Sequence, residues 1–99
     1  MPDRITVELV AGGGRPTPAI ISAGGENIDE AMSAFDTAVA DADENILLRA
    51  NVVLRATLLL QAGTVVISGA ASNGYDEARD VFDAAKVEYM KGGAWGGSG

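Results

Sequence analysis

The spacing of apolar residues changes period along the chain. Ile5-Thr6-Val7-Glu8-Leu9-Val10 is rich in β-branched residues, and the short run Ala19-Ile20-Ile21-Ser22 follows across Ala11-Gly12-Gly13-Gly14-Arg15-Pro16-Thr17-Pro18. This pattern predicts two strands, near 4–10 and 19–22, joined by a loop. From Asn27 the period lengthens. Ile28, Ala31, Met32, Phe35, Ala38 and Val39 recur at helical spacing behind an Asn27/Glu30 capping pair, which predicts a helix near 28–40. Thr64-Val65-Val66-Ile67-Ser68 reads as a buried strand near 64–68. Tyr75, Ala78, Phe82, Ala85 and Tyr89 then mark a helix near 75–91. It opens with Asp76, Glu77 and Asp80 and closes with Lys86 and Lys91, as the helix macrodipole prefers.

The stretch 43–61 fits two patterns. Read as a helix, it has Asp41 as N-cap with Glu44 three residues on, good helix formers, and Gly63 just past its end. Read as a strand, its even positions Ile46, Leu48, Ala50, Val52, Leu54, Ala56, Leu58 and Leu60 form one apolar face, opposite Arg49, Asn51, Arg55 and Thr57. Strands usually run about five or six residues, so the length favours a helix, with strand structure broken near Arg49-Ala50-Asn51 as the alternative. The predicted class is α+β: a small sheet packed by helices, in a single domain over 1–91, with a glycine-rich C-terminal arm over 92–99.

Composition narrows the chemistry. Of the 99 residues 47% are apolar but only 5% aromatic, so the core must use Ala, Val, Leu and Ile around Phe35, Phe82, Tyr75 and Tyr89. A small core of small side chains makes burial against a partner attractive. With no cysteine or histidine, disulfides, thiolate chemistry and the commonest general base and zinc ligand are missing, and no cofactor or metal is expected. Asp41-Ala42-Asp43-Glu44-Asn45 imitates the start of a calcium loop, but Ile46 stands where that loop needs glycine and Val52 where it needs glutamate. The glycine triplet lacks the Gly-Lys-Ser/Thr of a phosphate loop and reads as a connection. Nothing pairs two carboxylates for acid–base work, so the chain is expected not to be an enzyme.

The net charge of −7 is unevenly placed: Glu26, Asp29, Glu30, Asp36, Asp41, Asp43 and Glu44 lie in a segment without Lys or Arg. Direct binding to nucleic acid, which needs clustered bases, is not expected. The uncharged stretch Ala56–Tyr75 is interrupted by Gln61, Gly63, Thr64, Ser68, Ser72, Asn73 and Gly74, so no membrane span is expected. Met1-Pro2-Asp3-Arg4 shows no leader pattern, which favours cytoplasmic synthesis.

What remains points to contacts between protein chains. The candidate contact residues are Trp95, a lone indole set between glycines; Arg49 and Arg55, which interrupt an apolar run and need partners; and the acids Asp29, Glu30, Asp36, Asp41, Asp43 and Glu44 as their partners. The expected function is structural: a subunit of a homo-oligomer, such as a virus or phage particle component. The alternative is an acidic inhibitor or adaptor that fills a basic groove on a nucleic-acid-handling protein.

Overall fold

The computed structural model describes residues 4–91. In chain order these form β1 (Arg4–Ala11), β2 (Ala19–Gly25), α1 (Ile28–Ala40), the short α2 (Glu44–Leu47), β3 (Val52–Leu60), β4 (Gly63–Ala71) and α3 (Tyr75–Lys91). The strands make one sheet in the order β2-β1-β3-β4, antiparallel at every pairing. The predicted α+β class is therefore the observed one.

Both long helices cover the same side of the sheet, α1 over β2 and β1, α3 over β4 and β3. Alternation dictates the core: Ile5, Val7, Leu9 and Ala11 of β1, Val52, Leu54, Ala56 and Leu58 of β3, and Ile67 of β4 all point to the helices. There they meet Ala31, Met32, Phe35, Ala78 and Phe82, and no polar or charged residue among those described is buried. Asn27 caps α1, its side chain accepting from the Glu30 amide at 2.8 Å, as the capping pair predicts.

The helix favoured over 43–61 is corrected. Only Glu44–Leu47 is helical, capped by Asp43 rather than Asp41, and Asp41 instead ends α1. Val52–Leu60 is β3, so the alternative reading of a strand pair broken near Arg49-Ala50-Asn51 holds after the break but not before it, where the chain is helix and turn. Asn51 supplies the break by adopting the left-handed region at φ 59°, which asparagine tolerates better than most residues. Period decides the outcome: only a strand puts Val52, Leu54, Ala56 and Leu58 on one face. Gly63, at φ 137°, follows the tight Gln61-Ala62 turn into β4 and is a turn glycine, not a helix cap.

The fold also exposes an internal repeat that the local pattern hides. Ile21-Ser22 matches Ile67-Ser68, Asn27 matches Asn73, Asp29-Glu30-Ala31 matches Asp76-Glu77-Ala78, Phe35-Asp36 matches Phe82-Asp83, and Ala38 matches Ala85, with Gly74 as the one insertion. Each half is a strand–strand–helix unit, and the matched residues do matched work: Ala31 and Ala78, Phe35 and Phe82 are all fully buried. Cross-strand register places Ser22, Glu8, Arg55 and Ser68 in one straight row. The repeat-equivalent serines flank it, so the pseudo-two-fold axis passes between Glu8 and Arg55.

In each half a glycine lets the helix lie close on its edge strand. A methyl group on Gly69 would fall against the Phe82 amide nitrogen and 2.7 Å from the Ala78 carbonyl oxygen; one on Gly25 would lie 2.7 Å from the Ala31 nitrogen. Because these neighbours are backbone, the helix itself would have to move. Gly69→Ala is expected to destabilise the fold by about 2 kcal/mol, the scale of overpacking a tight core, measured by denaturant unfolding. An unchanged midpoint would show that α3 sits less tightly than described.

Candidate interaction surface

The two sides of the molecule differ in charge. Among the acids in residues 4–91, Glu8 alone lies in the sheet; the others lie in the helices or the segments that adjoin them. Asp29 and Glu30 are exposed in the first turn of α1, Asp43 caps α2 by accepting from the Asn45 amide at 2.9 Å, and Glu44 opens α2. These acids are thus spread over a helix start, a helix end and a connector, and the Asp43 carboxylate is committed to a cap.

Where the helices meet, the repeat is broken on purpose by charge: Met32 in the first half stands where Arg79 stands in the second. Arg79 reaches Asp36 of α1 at 2.7 Å, Asp83 of its own helix at 3.0 Å and the Tyr75 hydroxyl at 2.8 Å. The Tyr75 ring in turn lies 6.4 Å, centre to centre, from Phe35. Burial raises the Tyr75 pKa above its ordinary 10.0, and the Arg79 hydrogen bond only partly offsets this. For Arg79, burial alone would lower the pKa, but its hydrogen bonds to Asp36, Tyr75 and Asp83 outweigh it and the pKa is raised. The cluster is a clamp between α1 and α3.

The two arginines singled out in the sequence behave differently from expectation within the subunit. Arg55 pairs with Glu8 at 2.7 Å, and Arg49 donates to the Thr17 carbonyl at 3.4 Å, so neither is seen on the acids of 26–44; the base that reaches them is Arg79. Arg49 and its neighbours also tie down the glycine loop. The Gly12 and Gly13 amides donate to the Ala50 and Asn51 carbonyls at 3.1 and 3.0 Å, so two of the donors a phosphate would use already have partners. Trp95 lies outside the described residues. A depression of about 210 Å³ between α2 and the start of α3, lined by residues including Leu47, Leu48 and Tyr75, is small for a ligand site.

The feature that stands out among the described residues is the side of the sheet that neither α1 nor α3 covers. Register arranges it in rows. Ile20, Val10, Val53 and Ala70 form an apolar row at one end, Ser22, Glu8, Arg55 and Ser68 the central row, and Gly24, Thr6, Thr57 and Val66 the next, with Arg4, Leu59 and Thr64 beyond. Ile20 is 61% exposed, Val66 54% and Leu59 48%. Antiparallel sheets commonly keep one face in water, but that face is then polar, and this one carries the Glu8–Arg55 ion pair and Arg4 at its end among aliphatic and hydroxyl side chains. Sequence reasoning missed these residues because the rows assemble from four separated segments. No helix among the described residues is long and apolar enough to cross a membrane. No family model, curated protein or solved structure matches the chain.

The clamp has a pH signature. A phenol whose pKa is raised by folding contributes stability that is present below 10.0 and lost as pH rises above it, because the unfolded chain then releases the proton more readily. The native chain should lose stability as pH climbs past 10.0, and Tyr75→Phe should flatten that decline. Near neutral pH the same variant should cost about 1 kcal/mol for the lost hydrogen bond to Arg79. Denaturant midpoints across the alkaline range check both.

Proposed function

We propose that this chain is a non-catalytic assembly protein that functions as a homo-oligomer, made in the cytoplasm and suited to a closed or repeating array such as a virus or phage particle. The observation that carries this reading is the sheet face left open by α1 and α3, on which Ile20, Val66 and Leu59 stand exposed while every acid in residues 4–91 but Glu8 lies outside the sheet. Exposed aliphatic side chains gathered on one sheet face support a contact surface there, though Leu48 and, on α3, Val81, Val87 and Met90 are exposed as well. Like-charged copies repel through their helical sides and meet at lowest electrostatic cost through their sheets.

A second reading draws on the same distribution. If the sheets are paired, the acidic helical sides face outward and are free to dock a basic groove on a nucleic-acid-handling protein. Such docking would be sensitive to salt, whereas apolar sheet contacts would not.

Light scattering coupled to size-exclusion chromatography tests the proposal. The full chain is expected to elute above its 10.1 kDa monomer mass. The pair Ile20→Asp with Val66→Asp, at exposed positions, should shift it toward monomer with unchanged circular dichroism, the affinity falling roughly a hundredfold for two buried charges. Trp95→Ala should leave the assembled mass in place if the sheet is the main contact and reduce it if the C-terminal arm is. A native chain that stays monomeric at every concentration would overturn the proposal.

A further inference from the structure

Resting on the homo-oligomer reading, we infer that the occupant of the open sheet face is a second copy of the same chain, related by a two-fold axis that runs along the strands, between β1 and β3. Charge selects this axis. The central row holds one acid and one base side by side, Glu8 on β1 and Arg55 on β3. When two such faces stack with their strands aligned, as sheets commonly pack, the two-fold in the plane between them runs either along the strands or across them. An axis across the strands sets Glu8 against Glu8 and Arg55 against Arg55 of the partner copy. An axis along the strands exchanges β1 with β3 and sets each Glu8 over the other copy's Arg55. The first opposes like charges in a site that stacking dries; the second closes a ring of alternating charge.

The two rows flanking the central one fit the same axis, and the end row places Arg4 over the partner copy's Leu59, at the rim where its guanidinium reaches water. Ile20 then faces Ala70 and Val10 faces Val53, so the apolar row stacks on itself with large residues against small ones. Val66 faces Gly24, a projecting side chain over a bare backbone, and Thr6 faces Thr57. The contact is also large enough. Four strands spaced about 4.8 Å apart and roughly seven residues long present a face near 20 by 23 Å, so two copies bury on the order of 1,000 Å², the lower bound for a specific interface. The aliphatic rows supply affinity; the desolvated charges supply orientation, since burying an ion pair gains little net energy but mispairing it costs much.

The chain has no cysteine, so single thiols can be placed without background. Ile20→Cys and Ala70→Cys are prepared separately in the full chain and treated with a short bis-maleimide, alone and mixed. Strand β2 of one copy lies over β4 of the other in the inferred dimer, so the mixture should yield a covalent dimer. Each variant alone should not, because its two thiols are then three strand spacings apart, about 14 Å sideways in addition to the gap between sheets. In parallel, Glu8→Arg or Arg55→Glu should each weaken dimerisation at least tenfold, and the double exchange should restore it. Self-crosslinking of either variant, or crosslinking of Ile20→Cys with Gly24→Cys in place of Ala70→Cys, would overturn the axis while leaving the homo-oligomer. A dimeric mass without the mixed crosslink would do the same. A monomeric mass throughout would remove the homo-oligomer reading as well.

Discussion

The fold depends on the antiparallel pairing of β1 with β3. Each strand–strand–helix half has too little apolar surface to stand alone, since a two-stranded ribbon under one helix leaves an open strand edge and half a core. Joining β1 to β3 turns two such halves into a four-stranded sheet and brings Phe35 and Phe82 into one buried cluster. The pairing is long-range, with Ile5 opposite Leu58, so chain closure must precede most of the stabilising contacts. The polar row Ser22, Glu8, Arg55 and Ser68 lies across this joint, where an ion pair on the outer surface helps fix register without entering the core.

The repeat explains which features are general to the fold and which have been added. Buried alanine and phenylalanine, the asparagine before the helix and the Asp-Glu-Ala opening occur in both halves, as a strand pair and its covering helix require. Arg79 in place of Met32 occurs in one half only, and it ties the two helices through Asp36, Asp83 and Tyr75. On the opposite face the halves differ in a way that balances: Glu8 and Arg55 occupy the equivalent positions beside the axis with opposite charge. A face built by duplication would carry like charges there; this one carries a complementary pair, which is the property self-recognition needs.

Much of the fold was legible in the sequence where one element carries its own signal. The helix 28–40 follows from its apolar spacing and capping pair, 75–91 from its apolar spacing and charge order, and β1 from its run of β-branched residues. The 43–61 stretch was misjudged because length was weighed against period; a single left-handed residue, Asn51, divides it and removes the length objection. Pairing across the chain was not legible. Arg79 finds Asp36 only because two helices lie side by side, and Arg55 finds Glu8 only because β1 and β3 pair. The open face has the same origin: Ile20, Val10, Val53 and Ala70 are unremarkable in their own segments and become a surface only through register.

If the open face is covered by a second copy, folding and association draw on one supply of buried apolar area, and stability must depend on protein concentration by mass action. The most direct test is the midpoint of thermal unfolding of the full chain over roughly a hundredfold range of concentration. The account predicts a midpoint that rises steadily with concentration. A midpoint that does not move, in a reversible two-state transition, would contradict it and leave the sheet face exposed in the native protein.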